Sequence, residues 1–180
     1  DALVKVDVEN YKVEFDPSID NCPKQASYNS GEHRWGDSRA KICYYEIFQN
    51  GAASNGLMQR GDQLVIRMWS LFEQDVDNLI YGITVKTNDG NAIYGTNSRA
   101  LEVETPAQRA GDLVVVEFRL KLNLLAGDYF ISLGVAQDHD VKDNIAIDRR
   151  YDLIHVHIRE TLDAFGIADL VGDLSITIED

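Results

Sequence analysis

Cysteine, proline, methionine and tryptophan are all scarce in this chain of 180 residues, which contains two Cys, three Pro, two Met and two Trp. Two cysteines are too few for a disulfide-rich scaffold or for a cysteine-based metal framework. No apolar run approaches the ~18 residues that a membrane span needs, and no signal-peptide pattern opens the chain. These absences predict a globular domain that buries a core and does not insert into a membrane.

Basic residues are also few, because 17 Lys and Arg stand against 30 Asp and Glu, which gives a formal net charge of −13. Nucleic acid and anionic membranes are both bound through clustered Lys and Arg, so neither is expected as a partner. The acidity is explained by solubility, and it leaves neutral ligands, polysaccharides and cationic partners open.

Motifs that hold nucleotides, metals or nucleophiles are missing as well. The sequence has no G-x-x-x-x-G-K-[ST] loop, no G-x-S-x-G elbow and no H-E-x-x-H. His155 and His157 point the same way on a predicted strand, but their spacing fixes no third metal ligand, and solvated strand histidines are common. We predict no catalytic residue, no metal and no cofactor. A glycosidase-like carboxylate pair ranks as a third interpretation, since no pair is marked out.

Alternation of apolar and polar residues runs along most of the chain, whereas helical periodicity is weak and confined to residues 159–170. Loops are predicted at residues 16–39, rich in Pro, Ser, Asn and Gly, and at the acidic stretch 137–144. The pattern predicts an all-β fold, an antiparallel immunoglobulin-like β-sandwich. The predicted strands are residues 41–49, 63–72, a hairpin over 79–98, 113–120, 129–136, 148–158, and shorter ones within 1–15 and 174–178.

The two cysteines are Cys22, in a polar loop, and Cys43, in a predicted strand. A disulfide between them is left open by the sequence. Free thiols are favoured, with Cys43 as a small buried apolar residue.

Several short motifs, in a consistent order, carry a family resemblance. They are Arg34-Trp35-Gly36-Asp37, Gly61-Asp62 before an apolar strand, the Asn88-Asp89-Gly90 turn followed by Gly95-Thr96-Asn97, Gly127-Asp128-Tyr129, and Tyr151-Asp152. Over residues 31–158 the chain resembles the C-terminal carbohydrate-binding domain of Wzt, the nucleotide-binding subunit of ABC transporters that export bacterial O-antigen polysaccharide.

The resemblance implies a non-catalytic, cytoplasmic domain that recognises the non-reducing end of an O-antigen polysaccharide before export. It implies partners too: an attached ATPase domain, a membrane permease that holds the complex at the inner membrane, and a second copy in a homodimer. The alternative is an assembly module that dimerises and binds no glycan. Because the chain starts at Asp1 and lacks an ATPase motif, we expect an excised domain.

Two domain-level expectations follow. Residues 1–30 are predicted to be a linker with an early strand and a loop, and residues 31–180 the carbohydrate-binding sandwich. The short strand at residues 174–178 follows a connection containing Gly166 and Gly172. It is predicted to pair with the sheet edge of a neighbouring copy.

Sugar binding requires an aromatic ring for the apolar face of a pyranose and fixed polar groups for its hydroxyls. Arg67 and Trp69 share one face of a predicted central strand. Residues on two other strands are predicted to join that face, where Gly134 would leave room for a groove. Burial of Trp69 in the core is the competing interpretation. The predicted carbohydrate-binding residues are Arg67, Trp69, Tyr44, Glu46, Ser132, His155 and His157.

Overall fold

The computed structural model describes residues 15–140, 143–159 and 164–177. Within these ranges the chain forms ten strands and one short 3₁₀ helix, Cys22–Lys24, and no helix there is long and apolar enough to cross a membrane. The strands are β1 (His33–Trp35), β2 (Ala40–Gln49), β3 (Ala52–Ala53), β4 (Leu57–Met58), β5 (Gln63–Phe72), β6 (Leu79–Thr87), β7 (Ala92–Asn97), β8 (Leu113–Lys121), β9 (Gly127–Asp140) and β10 (Asp143–Ile158).

The described strands make two sheets. Sheet A has the order β1-β10-β9-β6-β7, with β4 added in parallel to β10, and sheet B has the order β3-β2-β5-β8. All other neighbours in the two sheets are antiparallel. The prediction of an all-β sandwich is confirmed.

One apolar cluster fills the space between the sheets, and it is built by alternation. Every second residue of β9, from Tyr129 to Val135, is buried, and so are Leu64, Ile66 and Met68 of β5. Burying each such Ile or Leu side chain contributes ~1.5–3 kcal/mol to folding. The residues between them point away from the core, so each sheet presents an outer face.

Two predicted loops contain regular structure. In the stretch 137–144, β9 continues to Asp140 and β10 starts at Asp143, with Asn144 paired to Asp138. This loop prediction is wrong because cross-strand pairing overrides the polar composition. In the stretch 16–39 the chain forms the 3₁₀ helix and the edge strand β1.

Predictions at the chain ends fare differently. Residues 174–177 form no strand and residues 164–170 form no helix within this single copy, while the proposed strands within 1–14 lie outside the described residues. Cys22 and Cys43 are free and buried, so the prediction of free thiols is confirmed. Burial raises the pKa of the Cys43 thiol to about 11 and also raises that of Cys22. Neither thiol is therefore reactive near neutral pH.

Candidate functional site

A groove crosses the outer face of sheet A where the side chains are smallest. Gly82 of β6 lies directly opposite Gly134 of β9 in the antiparallel register. The cavity above them has a volume of about 280 Å³. Its polar and aromatic lining includes Thr84, Asn97, Ser132, Arg149 and Tyr151.

The fold does not require glycine at either position. A Cβ atom added at Gly134 would lie 3.5 Å from Cγ of Arg149, and one added at Gly82 would lie 3.6 Å from the Thr96 carbonyl oxygen, which are ordinary contacts. By contrast, a Cβ at Gly36 would lie 2.2 Å from the Ile147 carbonyl oxygen. Glycine weakens a strand interior and often marks a place where a ligand approaches. The paired glycines therefore leave a groove that the backbone conformation does not require.

An aromatic wall starts at Tyr151, which lines the groove, and continues onto edge strand β1, which pairs with β10. His33 pairs with Tyr151 and Trp35 pairs with Arg149. The Tyr151 ring centroid lies 6.4 Å from that of His33 and 6.5 Å from that of Trp35, both nearly parallel. The guanidinium of Arg149 lies 5.6 Å from the Trp35 ring centroid. Trp35 keeps 47% of its surface exposed, so the wall is open to a ligand.

Lys86 reaches across the outer face of sheet A beyond one end of the groove. Its strand, β6, is separated from β10 by β9, yet its Nζ lies 3.4 Å from Oδ1 of Asp152 and 5.0 Å from the Tyr151 ring centroid. On β9, the hydroxyl oxygen of Ser132 accepts a hydrogen bond from the backbone N–H of Asp152 at 2.9 Å. Asp152 has a φ of 57°, which is uncommon for a residue other than glycine and is often found at functional sites.

Positive charge surrounds the Tyr151 phenol. A hydrogen bond from Arg149 lowers the pKa of Tyr151 from its ordinary value, against the opposing effect of partial burial. A hydrogen bond from Trp35 and the charges of Arg149 and Lys86 lower this pKa further. The phenol of Tyr151 is thus polarised by the groups around it.

A buried arginine supports this wall from below. Arg150, on the strand between Arg149 and Tyr151, points inward and is 1% exposed. It donates hydrogen bonds to Asp20 at 2.8 and 2.9 Å, to Glu32, and to the Ile42 carbonyl at 3.0 Å. These bonds tie the segment before β1 to β10. Beside it, Arg34 donates to both carboxylate oxygens of Asp148, at 2.9 and 2.7 Å, and so anchors β1 itself.

His155 and His157 lie on the same outer face of sheet A, His155 level with Lys86 and His157 beyond it. Oδ1 of Asp128 lies 2.8 Å from Nε2 of His155 and 3.0 Å from Nδ1 of His157. Hydrogen bonds from His157 and His155 lower the pKa of the Asp128 carboxyl group. Among the described residues, no three His, Cys, Asp or Glu side chains are placed to hold a metal ion.

The other four predicted residues lie on the opposite side of the sandwich, on the outer face of sheet B. Tyr44 pairs with Trp69, and Glu46 pairs with Arg67. The prediction that Ser132 shares this face is wrong, because Ser132 belongs to sheet A. Trp69 is 3% exposed and packs against Tyr44 at 5.2 Å between ring centroids.

The charged pair on this face is already engaged within the sheet. Nε of Arg67 donates to Glu117 at 2.6 Å, and its guanidinium lies 4.5 Å from the Phe48 ring centroid. The hydroxyl of Tyr44 donates to Glu46 at 3.4 Å. This face is a packed surface of cross-strand pairs, in contrast to the groove of sheet A.

Comparison with known proteins agrees with the architecture. The family model described as the Wzt C-terminal domain matches residues 31–170. The chain belongs to this family. A similar solved structure is the crystal structure of the C-terminal domain of Wzt, at 33% sequence identity and a TM-score of 0.82. That match covers 88% of this chain and 96% of the other chain. No curated protein matches this chain.

The groove of this Wzt-family domain and the surface beside it contain residues that the sequence pattern did not reveal. Tyr151 and Arg149 were not predicted because the run Arg149-Arg150-Tyr151 does not show which of its side chains faces inward. Lys86 and Asn97 were not predicted because no local feature of the sequence shows that β6 lies between β7 and β9. The available signals were Tyr151-Asp152 and Gly95-Thr96-Asn97, which belong to the motifs that carry the family resemblance.

Proposed function

We propose that this Wzt-family domain binds the non-reducing end of an O-antigen polysaccharide in the groove of sheet A, without catalysis. The observation that carries the proposal is the pair Gly82 and Gly134. Glycines that the backbone does not require leave a cavity beside an aromatic wall, and sugar sites combine such a wall with a few fixed polar groups.

The residues around the groove suit a hydroxyl-rich ligand. The exposed ring of Trp35 and the ring of Tyr151 offer apolar surface to the C–H face of a pyranose. Arg149 and Asn97 donate hydrogen bonds, while Thr84 and Ser132 can donate or accept. Of the residues predicted from the sequence, Ser132 lines this groove. His155 and His157 share its face, and we assign them to the outer margin of the site.

The wider role follows from the family. We propose that the domain acts in the cytoplasm, next to its own ATPase domain, and that glycan binding signals chain completion to an ABC transporter whose permease lies in the inner membrane. Membership of the Wzt C-terminal domain family supports this context. The acidic composition fits it, because the proposed ligand is a polysaccharide and not a nucleic acid or a membrane.

A homodimer is the second part of the proposal, and the C-terminal segment supports it. Leu174 and Ile176 are each 82% exposed and alternate as in a strand, and Leu170 is 89% exposed. Such a run of unpaired apolar residues is the kind of segment that pairs with the sheet edge of another copy. The same observation favours the competing function, an assembly module that binds no glycan.

Calorimetric titration with the O-antigen polysaccharide of the source bacterium tests the proposal. We expect saturable binding that weakens at least about tenfold in Gly134→Val, whose side chain fills the groove, and that is unchanged in the sheet B variant Arg67→Gln. Binding lost in Arg67→Gln but kept in Gly134→Val would move the site to sheet B. No binding at millimolar glycan, with the dimer intact, would establish the assembly module.

A further inference from the structure

A second and larger cavity adjoins the groove at the end opposite Lys86. Its volume is about 660 Å³, and it lies where β6 begins and where β7 and β9 end. Ile80 lines both cavities, so the two adjoin at this residue. We propose that this outer cavity is a second glycan subsite, which holds the sugar units that follow the chain end bound in the groove.

The direction of the bound chain follows from the cross-strand rows of sheet A. Lys86 pairs with Phe130, Gly82 with Gly134, and Ile80 with Ala136. Large side chains therefore stand at one end of the groove and small ones along its middle. Lys86 crosses the sheet beyond the first end through its contacts with Asp152 and Tyr151. We therefore place the exit of a polymer whose tip occupies the groove at the other end, past Ile80.

The chemistry of the outer cavity suits internal sugar units. Arg99 and Asp138 form a partly exposed ion pair at 2.9 Å, and Glu102 and Glu104 add two more carboxylates to the lining. Ile80 and the half-exposed Val103 supply apolar surface. This mixture offers donors and acceptors to hydroxyl groups. The lining of the outer cavity contains no Phe, Tyr or Trp, unlike the aromatic wall beside the groove.

The rim of this cavity is fixed by hydrogen bonds. The hydroxyl of Thr105 donates to the Leu79 carbonyl at 2.6 Å, and the backbone N–H of Ala100 donates to Oδ1 of Asn97 at 2.9 Å. Glu102 has a φ of 55°, and its N–H donates to the Arg99 carbonyl at 3.1 Å. A rim held in this way loses little freedom when a ligand binds.

This inference rests on the proposed glycan function, so its test must separate the two. The probe is a graded series of fragments carrying the native non-reducing end of the O-antigen, from monosaccharide to hexasaccharide. Each is titrated against wild type and Arg99→Ala. The matched control is Arg109→Ala, which removes an exposed arginine of a similar ion pair, with Asp75, and neither residue of that pair lines either cavity.

We expect the longer fragments to bind wild type at least about tenfold more tightly than the monosaccharide, because they gain the outer contacts. Arg99→Ala should weaken the hexasaccharide about fivefold, the equivalent of one hydrogen bond, and leave the monosaccharide unchanged. Arg109→Ala should change neither.

Affinity that is independent of fragment length, or equal for the hexasaccharide in wild type and Arg99→Ala, would overturn the second subsite and leave the groove proposal standing. Absence of binding at every length, including the intact polysaccharide, would overturn both. A fragment lacking the non-reducing end that binds as tightly as the native one would show that no chain end occupies the groove, and would overturn the assigned direction.

Discussion

At the scale of single residues, Arg150 shows how the inside of the sandwich supports its surface. Its guanidinium is sealed from water and bound to Asp20, Glu32 and a carbonyl oxygen. Burial opposes ionisation of Asp20, but the hydrogen bond and charge of Arg150 outweigh it and lower the pKa of that carboxyl group. Arg150 thus fixes the backbone between Arg149 and Tyr151, two residues of the groove.

Replacing Glu32 by Gln should therefore be costly. The substitution removes one of the two carboxylates that compensate the buried charge of Arg150, and losing a hydrogen-bonded charge partner of this kind costs ~1.5–3 kcal/mol of unfolding free energy. Urea denaturation measures it. As a control, Glu73→Gln removes the half-exposed pair with Lys41 and should cost less than ~1 kcal/mol. An equal loss of unfolding free energy in the two variants would show that the hydrogen bonds of Arg150 do not stabilise the fold.

Tyr151 gives a second residue-scale prediction. Its pKa is lowered by the hydrogen bond and charge of Arg149, so the phenol should ionise at a lower pH than a free tyrosine. Because the folded pKa lies below the unfolded one, its ionisation stabilises the fold at alkaline pH, and this contribution disappears as pH falls through the folded pKa.

Ultraviolet titration of wild type minus Tyr151→Phe isolates this phenol. The same difference taken in an Arg149→Gln background should shift to higher pH. An unshifted difference spectrum would mean that Arg149 does not contact the Tyr151 hydroxyl in solution.

At the scale of elements, β9 separates what folding needs from what the site needs. Ile131, Leu133 and Val135 fill the core, whereas Gly134 on the other face is free of backbone constraint. Gly134→Val should leave the stability unchanged or raise it by up to ~1 kcal/mol, since valine favours strands. Gly36→Ala, whose Cβ would overlap the Ile147 carbonyl, should be strongly destabilised. Thermal denaturation compares them, and a large loss for Gly134→Val would remove the argument that its absent side chain serves a ligand.

The same elements show how far sequence reasoning reaches. The bounds of β5 and the inward phase of β9 could be predicted because a period of two is a local property of the chain. Which sheet a strand joins is set by pairing between distant residues, as when β10 pairs with β1 more than a hundred residues earlier. Alternation shows that Ser132 and Arg67 both face outward, but it does not show that they face opposite sides.

Bulges limit the prediction in a second way. The register between β9 and β10 shifts between Arg150 and Ile154, around the positive φ of Asp152. As a result Leu153 and Ile154 are both buried, which a strict alternation does not allow. The bulge also places Asp152 beside Lys86 and Ser132. This part of the site could be found only in three dimensions.

At the scale of the whole molecule, the C-terminal segment is fixed to the sandwich at its start and exposed to solvent after that. Residues 167–169 are held against the loop after β8 by hydrogen bonds of Leu125 with Ile167 and of Asp169 with Asn123, and by the ion pair of Asp169 with Arg60. Beyond this point Leu170, Leu174 and Ile176 are exposed. If they pair with a second copy, the dimer depends on them.

Truncation after Asp169 should therefore convert a dimer into a monomer. Light scattering coupled to size exclusion would show a fall to about the mass of one chain. The double substitution Leu174→Ser and Ile176→Ser is the milder version and should weaken the dimer in the same direction. An unchanged mass in both variants would show that dimerisation, if present, uses another surface.

The central claim is that the groove between Tyr151 and Asn97 on sheet A holds the end of a sugar chain. The most direct test is a crystal structure of the domain with an oligosaccharide carrying the native non-reducing end. We predict a terminal sugar above Gly82 and Gly134, stacked on the aromatic wall, with the chain leaving past Ile80. A sugar bound instead beside Tyr44 and Arg67 on sheet B would contradict the account.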